Sequence, residues 1–403
     1  MNKSNYEIRS ALLNECHDLA HSPDIPSILE GLIGRRGFSG PANIPKLVYM
    51  TLLTGMLEQP VSLLIKGPSG AGKSFSLRMG KQFVPKRAFE EFEGMSEKAI
   101  VYLKGLSLKN RHLIIGEASG MAEGGGRTLL RQLLSEGKVR YATVESTDKG
   151  LKGSELPTLE GPCGLIMTTT ATGIHPEDEN RMLSVNIHES PDQILSALMA
   201  QALGATTTVE PLNLVPWFAL YDFMKEGPKR VKIPFAEGIA KTLPRTHDKV
   251  KRDFPQILSL IKASALLHSC TRDQKEDGTV IANSADYGLV YDLVNGPISQ
   301  GLAKMVPDAV RTVVEEVQRQ IGKDAAFGVS NTFLSDILDR DPSVISRVTK
   351  KAIEDGYLEN TNPGQGREAR LVIGGRKLPS GSALPSPKEL FQEVKAPQLE
   401  PAW

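Results

Sequence analysis

Three short runs of apolar residues, at 61–66, 111–117 and 163–170, organise the first half of the chain. Each run is apolar almost without interruption, and segments with helical spacing of apolar residues lie between them. A strand that is buried on both faces has this continuous pattern, whereas a half-exposed strand alternates between apolar and polar residues. The pattern therefore predicts an α/β fold with three layers, in which helices cover both faces of a sheet.

Helical spacing also precedes and follows this region. Residues 5–36 are predicted to form two helices, and a further helix is predicted from Lys46 to Leu57, before the first strand. Residues 192–310 are predicted to be mostly helical, with breaks at 204–216 and 226–234. The α/β region is therefore flanked by helical segments on both sides.

A β-hairpin is predicted between the second and third apolar runs, over about residues 138–160. The strand-like run VRYATV begins at Val139, a turn is predicted at 147–153, and a return strand follows. Lys149 and Lys152 fall in the predicted turn. The hairpin should therefore carry a basic tip.

The C-terminal part has the pattern of a winged helix. A predicted helix at 309–321 leads to two shorter helices separated by a turn, and Asp341 and Pro342 are residue types that begin a helix. Two predicted strands follow, around 357–358 and 370–373. A helix-turn-helix followed by a hairpin is the order of elements in a winged-helix domain.

Three basic residues of the second short helix are three or four positions apart, so they share one face: Arg347, Lys350 and Lys351. Such a face can enter a DNA groove or contact phosphates. Winged helices also mediate protein contacts, so the sequence leaves both roles open. The segment from Lys377 is rich in proline and serine, a composition that predicts disorder.

The length of 403 residues is enough for two or three domains. The predicted organisation is a helical segment at 1–45, an α/β core at 46–200, a helical region at 201–305, a winged-helix domain at 306–376 and a disordered tail at 377–403.

Composition narrows the class of protein. The 48 Lys and Arg nearly balance 47 Asp and Glu, so any contact with nucleic acid must come from local basic clusters rather than from net charge. Three widely spaced cysteines indicate neither a disulfide framework nor a CxxC metal pair. The N-terminus lacks the apolar core of a signal peptide, and no apolar run approaches the roughly 18 residues of a membrane span. We therefore expect a cytoplasmic protein with no membrane partner.

The segment IKGPSGAGKSF, residues 65–75, has the pattern of a nucleotide-binding P-loop between a strand and a helix. Glycines let backbone amides approach phosphate oxygens, and the start of the following helix favours an anion. Lys73 is predicted to reach the β- and γ-phosphates, and Ser74 to ligate Mg²⁺. The residues predicted to bind ATP are Gly67, Pro68, Ser69, Gly70, Ala71, Gly72, Lys73, Ser74 and Phe75.

The second apolar run ends in Gly116-Glu117, where P-loop ATPases place acidic residues that hold Mg²⁺ and activate water. One carboxylate stands where two are usual. Glu117 is predicted either to act as the general base or to take the magnesium role with no base beside it. Slow hydrolysis is the consequence of the second alternative.

The third apolar run ends in Thr168-Thr169-Thr170, and a polar side chain at this point can orient the attacking water.

Arg181 follows a loop and a turn later. It is a candidate arginine finger for a neighbouring subunit's ATP, or else the member of a surface salt bridge. Arg252, with Arg245, is a candidate second phosphate sensor. A solvated basic turn is the alternative for this pair.

These features together resemble the AAA+ ATPases of the hairpin-bearing branch that includes the minichromosome-maintenance (MCM) helicases. The run from HLIIGEASGM through LLRQLLSEGKVRYATVES and EGPCGLIMTTT to HPEDENRML is most similar to MCM-like ATPase domains of bacterial mobile elements and phages, which are often associated with a zinc-finger and Toprim primase. The resemblance covers about residues 10–270 and, more loosely, the winged helix. Two departures are the missing Asp before Glu117 and the absence of a primase module from this chain.

The resemblance implies a role for each matching residue. Lys73 and Ser74 would serve ATP and Mg²⁺, Glu117 would serve hydrolysis, and one of the three threonines, represented by Thr169, would be the first sensor. Arg181 would act in trans and Arg252 as second sensor. Lys149 and Lys152 would face DNA in a central channel.

The resemblance therefore implies an ATP-dependent DNA-binding motor, a hexameric helicase-like ATPase with a possible primase partner. It would move one strand through its channel, with duplex DNA reaching the winged helix. Two alternatives stay open: a regulatory or defence ATPase that remodels or recruits a protein partner, and an ATP-binding switch with little turnover.

Overall fold

The computed structural model describes residues 3–40, 42–96, 99–103, 105–117, 125–147, 150–170, 176–187, 190–206, 210–244, 249–304, 306–321, 328–364, 366–378 and 382–393. The chain divides into two compact units. The first comprises Met1–Lys241, Lys251–Pro297 and Pro385–Trp403, and the second comprises Thr242–Val250 and Ile298–Leu384. The predicted segments 1–45 and 46–200 thus belong to one unit, together with most of the predicted helical region.

The helices in the described parts of the chain are α1 (Lys3–Glu15), α2 (His17–Ala20), α3 (Ile25–Arg35), α4 (Asn43–Leu53), α5 (Lys73–Lys81), α6 (Ala99–Tyr102), α7 (Gly125–Glu136), α8 (Pro176–Glu179), α9 (Pro191–Thr206), α10 (Val215–Glu226), α11 (Ala236–Thr242), α12 (Lys249–Leu267), α13 (Ser284–Lys304), α14 (Asp308–Ile321), α15 (Asn331–Leu338), α16 (Pro342–Glu354) and α17 (Pro387–Glu393).

The strands are β1 (Leu63–Lys66), β2 (Phe89–Phe92), β3 (Arg111–Ile115), β4 (Lys138–Val139), β5 (Ala142–Thr147), β6 (Gly150–Glu155), β7 (Leu159–Glu160), β8 (Cys163–Thr169), β9 (Leu183–Asn186), β10 (Val231–Lys232), β11 (Val280–Ile281), β12 (Leu358–Asn360) and β13 (Leu371–Ile373).

A parallel sheet of five strands, in the order β2-β3-β8-β1-β9, forms the centre of the first unit. The prediction of an α/β fold is confirmed, and the three predicted strands are β1, β3 and β8. The two edge strands were not predicted. Neither sequence is a continuous apolar run: β2 reads FEEF, with two central glutamates, and β9 reads LSVN, which alternates between apolar and polar residues. An edge strand has a neighbouring strand on one side only and is less completely buried.

Helices cover both faces of this sheet. On one face, Leu129, Leu130 and Leu133 of α7 pack in a cluster with apolar side chains of β3 and β8. Phe92 of β2 also packs against this cluster, so Glu91 points to the opposite face. There Lys81 of α5 pairs with Glu91. α5 and α7 therefore lie on opposite faces, which gives three layers.

Glycine is required where α5 crosses α4. A Cβ atom at Gly80 would lie 2.5 Å from the carbonyl oxygen of Pro45 and 2.7 Å from the Cβ of Val48. This close approach fixes α5 against α4, and the position of α5 in turn fixes the loop that precedes it.

The predicted hairpin is present as two antiparallel pairs, β4 with β7 and β5 with β6. Pairing between β5 and β6 continues to Thr147 and Gly150, so Lys152 belongs to a strand and is the register partner of Glu145. The prediction of a turn is wrong for residues 150–153, which pair as part of β6. Gly150 and Gly153 are of a residue type typical of turns, and this composition led to the wrong prediction. Lys149 lies outside the described residues.

The second unit contains α14, α15 and α16 with the antiparallel pair β12–β13. Val329 makes an additional antiparallel bridge to Leu371. The Asp341 carboxylate accepts a hydrogen bond from the Ser343 amide at 2.8 Å, as an N-cap does. Val313, Val317, Leu334 and further apolar residues form the core of this unit.

Residues 382–393 differ from the prediction of a disordered tail. They include α17, and Leu384 and Leu390 are buried. The ring of Phe391 packs edge-on against Phe235 at 5.1 Å, and the Tyr287 hydroxyl donates to the carbonyl of Pro385 at 2.6 Å. A few apolar residues thus order a segment whose composition is otherwise that of a disordered chain.

Candidate functional site

The glycine-rich loop, residues 67–72, connects the carboxyl end of β1 to α5. Gly70 and Gly72 adopt φ angles of +86° and +75°, a region that favours glycine, and Gly72 caps α5. Gly67 is held close to the neighbouring strand: a Cβ atom there would lie 3.0 Å from the Ile187 carbonyl oxygen. Three of the six loop positions, Gly67, Gly70 and Gly72, therefore favour glycine, and Pro68, Ser69 and Gly70 are exposed.

Lys73 and Ser74 lie at the start of α5, beside this loop. The Lys73 side chain is largely buried, and its ammonium donates to the carbonyl oxygens of Gly67 at 2.8 Å and Pro68 at 2.7 Å. Ser74 is exposed in the same turn. The structure thus brings together the ammonium, the hydroxyl and the loop amides that the sequence predicted to act together.

A cavity of about 620 Å³ adjoins the glycine-rich loop. Gly70, Gly72 and Phe75 form one side, the segment from Gly37 to Gly40 forms another, and α9 contributes Gln193, Ala197 and Gln201. The rings of Phe38 and Phe75 stack at 5.7 Å, and the Arg78 guanidinium lies 5.1 Å from the centre of the Phe75 ring. The cavity therefore has a loop of amides at one end and aromatic surface in its wall.

Sequence reasoning predicted the loop side of this cavity, from Gly70 to Phe75, but it missed the walls that the segment from Gly37 to Gly40 and α9 contribute. The segment RRGFSGPAN, between α3 and α4, carries a signal in retrospect, because glycines flanking a phenylalanine in a short connection indicate a shaped loop rather than a simple linker. For α9 no such signal exists, since its pattern predicts only a helix.

Glu117 follows β3 at the same edge of the sheet. Its amide donates to the carbonyl oxygen of Glu93 at 3.0 Å, and the Gly116 amide donates to that of Phe92 at 2.9 Å. β8 lies between β3 and β1, so the backbone at Glu117 is two strand spacings, about 10 Å, from the end of β1. A carboxylate and the glycine-rich loop therefore share the carboxyl edge of the sheet.

Glu93 stands beside Gly116, and sequence reasoning missed it because β2 was not predicted. A Cβ atom at Gly116 would lie 3.2 Å from the Glu93 carboxylate oxygen Oε2 and 3.3 Å from the Glu93 carbonyl oxygen. A side chain at position 116 would therefore begin next to the Glu93 carboxylate.

The threonines that end β8 differ in orientation. Leu165 and Met167 pack in the α7 cluster, so strand alternation places Thr169 on that face and Thr168 on the face of α5. Thr169 is buried, while the Thr168 hydroxyl donates to the Gly116 carbonyl. The side chain of Thr169 therefore lies on the face opposite α5, and Thr168 is the threonine placed between the loop and Glu117.

Arg181 and Arg252 lie at the opposite, amino-terminal edge of the sheet. Arg181 closely precedes β9, whose first amide, at Leu183, donates to the Ser62 carbonyl at the start of β1 at 2.9 Å. The Arg181 guanidinium donates to the Ser135 hydroxyl and lies 3.6 Å from the Glu177 carboxylate. The structure does not bring Arg181 to the glycine-rich loop of its own chain.

A second cavity, of about 670 Å³, lies at this amino-terminal edge. Arg181, Lys251 and Arg252 line it, together with the carboxylates of Glu58 and Glu136. Arg252 is exposed on α12. The structure therefore groups Arg181 with Arg252, as candidates for phosphate contact, at a distance from Lys73. Arg245 lies outside the described residues.

The groups at the carboxyl edge fit a magnesium nucleotide. Two glycines with positive φ leave the loop amides open to phosphate, and a serine hydroxyl and a carboxylate are the oxygen donors that Mg²⁺ prefers. The described residues contain no cluster of three or more His, Cys, Asp and Glu suited to a metal ion by themselves. Such a cluster is not needed where phosphates complete the coordination.

The residues predicted to contact DNA differ in their surroundings. Arg347 and Lys350 are exposed on α16 and have no ion-pair partner among the residues that the structure describes, whereas Lys351 pairs with Asp355 at 2.8 Å. On the hairpin, Lys152 stands opposite Glu145, and the other face of the same two strands exposes Val144 and Leu151. Exposed positive charge is therefore present on α16 at Arg347 and Lys350, and on the described part of the hairpin at Lys152.

No protein-family model matches the sequence, and no curated protein sequence does. None of the helices in the described parts of the chain is both long and apolar enough to cross a membrane.

Proposed function

We propose that this protein is an ATP-binding and ATP-hydrolysing enzyme of the P-loop AAA+ type that acts on DNA. The observation that carries the proposal is the glycine-rich loop between β1 and α5, with its two positive-φ glycines, the adjoining Lys73 and Ser74, and the cavity beside it. The cavity accepts a nucleoside against Phe38 and Phe75, and the loop accepts its phosphates.

Each group at the carboxyl edge has a distinct task in this proposal. Loop amides bind the phosphates, and the Lys73 ammonium exchanges its contacts with the Gly67 and Pro68 carbonyls for phosphate oxygens. Mg²⁺ supplies charge neutralisation on the phosphates when bound, and Ser74 would hold it. Glu117 accepts a proton from the attacking water, and Thr168 orients that water from β8.

The position of Arg181 at the amino-terminal edge supports a role in trans rather than in its own site. A ring, which we propose to be a hexamer, would place Arg181 of one subunit at the ATP of the next, with Arg252 as second sensor. The chain would then resemble an MCM-like helicase of a mobile element or phage, working with a separate primase. ATP turnover would move DNA through the channel.

The second unit is proposed to be a winged-helix domain. Three helices followed by an antiparallel strand pair support this assignment, and the exposed Arg347 and Lys350 on the second helix of its helix-turn-helix suit contact with duplex DNA. The hairpin is assigned to single-stranded DNA through Lys149 and Lys152.

Nucleotide binding by the Lys73→Ala variant tests the first part of the proposal, that the glycine-rich loop binds ATP. Titration with a fluorescent ATP analogue should show a loss of affinity of roughly a hundredfold, because the variant removes an ammonium from desolvated phosphates. Lys81→Ala is the matched control: it is on the same helix but pairs with Glu91, far along α5 from the loop. Equal affinities of wild type and Lys73→Ala would contradict the proposal.

A second candidate function, an ATP-binding switch with little turnover, is favoured by one observation. Position 116 has no carboxylate, and Glu93 borders the space where one would begin. Tight ATP binding without measurable hydrolysis, with or without DNA, would favour the switch over the motor. A regulatory ATPase that recruits a protein partner would hydrolyse ATP without a response to DNA.

A further inference from the structure

Three glutamates lie in β2 or directly after it, and two of them are held in ion pairs. Glu90 pairs with Arg111 at 2.6 Å, and Glu91 pairs with Lys81 of α5. Glu93, the first residue after the strand, is exposed, and it has no ion-pair partner in the parts of the chain that the structure describes. Ion pairing therefore accounts for the first two carboxylates but not for the third.

The backbone fixes the face of the sheet on which the Glu93 side chain lies. Pairing of β2 with β3 continues beyond the two strands, because the Glu117 amide donates to the Glu93 carbonyl oxygen at 3.0 Å. Side chains two residues apart on a strand share a face, so Glu93 lies on the face of Glu91, which contacts Lys81 of α5. Ser74 is at the start of that helix. Glu93 and Ser74 are therefore on the same side of the sheet, at its carboxyl edge.

The Glu93 carboxylate lies where an acidic residue at position 116 would place its own. A Cβ atom at Gly116 would be 3.2 Å from Glu93 Oε2. The carboxylate oxygens of an aspartate are two bonds from its Cβ, so an aspartate at position 116 would compete with Glu93 for the same space. Glu93 begins one strand farther from the glycine-rich loop, a spacing of roughly 4.8 Å, and its longer side chain covers part of that distance. Glycine at position 116 leaves the space to Glu93.

We propose that Glu93 supplies the second carboxylate of the nucleotide site, in place of the acidic residue that position 116 lacks. This inference rests on the proposed function, because it assigns a residue to the same site. Mg²⁺ bound with a nucleotide keeps several water ligands, and carboxylates that accept hydrogen bonds from such ligands orient them. The Glu93 carboxylate lies beside β3, two strand spacings or about 10 Å from the end of β1, so it acts through these waters rather than as a direct ligand.

This assignment gives the two carboxylates different tasks. Glu93 is a positioning residue that holds the water shell of the magnesium nucleotide, whereas Glu117 accepts the proton of the attacking water. The sequence leaves two roles open for Glu117, and the position of Glu93 reduces them to the role of the base. A glutamate that follows β2 thus replaces, in space, an aspartate that would follow β3.

The requirement for Mg²⁺ in nucleotide binding tests the role of Glu93. Binding of a fluorescent, non-hydrolysable ATP analogue to the full chain is measured over a series of Mg²⁺ concentrations and in EDTA. The Glu93→Gln variant should need roughly tenfold more Mg²⁺ for half-maximal binding, because a carboxylate that orients metal ligands is lost. Its affinity in EDTA should stay close to that of the wild type. Glu91→Gln, the same change on the same face of β2, is the matched control and should keep the wild-type requirement.

The outcomes separate this inference from the proposed function. Equal Mg²⁺ requirements of the wild type and Glu93→Gln would overturn the inference and leave nucleotide binding by the loop in place. A wild type that binds no nucleotide would refute the proposed function, and the inference with it. An affinity of Glu93→Gln that falls in EDTA as much as it falls with Mg²⁺ would show a structural effect of the substitution and would also overturn the inference.

A second test moves the carboxylate to position 116. The Gly116→Asp/Glu93→Gln variant should need less Mg²⁺ than Glu93→Gln alone. Gly116→Ala/Glu93→Gln is its control, because it adds the same Cβ atom, 3.3 Å from the carbonyl oxygen of residue 93, without a carboxylate. Equal Mg²⁺ requirements of the two double variants would contradict the inference.

The Glu117→Gln variant separates the tasks of the two carboxylates. It should lose ATP hydrolysis, while the Mg²⁺ concentration for half-maximal binding of the analogue should remain close to that of the wild type. A raised Mg²⁺ requirement in Glu117→Gln, together with an unchanged one in Glu93→Gln, would assign the magnesium role to Glu117 and overturn the inference.

Discussion

The backbone amide of Gly67 donates a hydrogen bond to the carbonyl oxygen of Thr169 at 3.3 Å. This bond extends the parallel pairing of β1 and β8 beyond Lys66, and it anchors the first residue of the glycine-rich loop to the strand that lies beside Glu117. Thr169 thus serves the site through its backbone, whereas its neighbour Thr168 presents the hydroxyl on the face of α5. The sheet, more than any single side chain, sets the geometry of the site.

The crossing of α4 and α5 supplies the first prediction. Gly80→Ala should destabilise the protein by about 1–3 kcal/mol, because the added Cβ would lie 2.5 Å from the Pro45 carbonyl oxygen and force the helices apart. Chemical denaturation measures the free energy of unfolding. Gly31→Ala, in α3 with no atom within 4 Å of its added Cβ, should instead be neutral or slightly stabilising, so equal effects at the two positions would refute the packing argument.

His112 makes stability depend on pH. Burial lowers the pKa of His112 to about 4, although a hydrogen bond of its Nε2 with the Val61 carbonyl at 3.0 Å acts in the opposite direction. Its folded pKa is below the ordinary value of about 6.5, so the unfolded chain binds the proton first. The contribution of neutral His112 to the free energy of unfolding is present in full above pH 6.5. It is lost as pH falls from about 6.5 towards 4, by an amount on the order of 3 kcal/mol.

Unfolding free energies of wild type and His112→Gln, measured between pH 4 and 7.5, check this prediction. The variant should be less dependent on pH across this window, with a remainder from His268, whose pKa burial also lowers. Identical pH profiles of the two proteins would show that His112 does not titrate as described.

Position 116 and Glu93 should act together. Gly116→Asp alone should not raise ATP turnover, because its Cβ would lie 3.2 Å from Glu93 Oε2 and the two carboxylates would repel each other at this short range. Combining it with Glu93→Gln removes that repulsion, and the double variant should hydrolyse ATP faster than either single variant. Steady-state phosphate release measures the difference. Additive effects of the two changes would mean that these side chains do not interact.

The basic face of α16 predicts how DNA binding depends on salt. Arg347→Ala and Lys350→Ala should each weaken binding to duplex DNA and lower the slope of log affinity against log salt by roughly one. Lys351→Ala should have a smaller effect, because Asp355 already neutralises that ammonium. Lys241→Ala, an exposed lysine of the first unit paired with Glu237, is the control. Unchanged slopes for Arg347→Ala and Lys350→Ala would favour protein contact by this unit.

The sequence predicts the parts of this molecule whose pattern is local. β1, β3 and β8 are continuous apolar runs, and the glycine-rich loop has a spacing that few other structures require. β2 and β9 were not predicted because neither edge strand has the continuous apolar run on which the prediction of strands relied. Glu93 and the cavity wall of α9 escape for another reason: they come to the site through strand order and helix packing, which join residues far apart in the chain.

DNA-stimulated ATP hydrolysis is the measurement that tests the central claim most directly. Phosphate release by the wild type is followed with no DNA and with saturating single-stranded DNA, beside Lys73→Ala and Glu117→Gln. We expect hydrolysis that rises several-fold with DNA and falls by roughly a hundredfold or more in both variants, since one loses a phosphate ligand and the other the base. Hydrolysis that is insensitive to DNA, or that persists in Lys73→Ala, would contradict an ATP-driven motor on DNA.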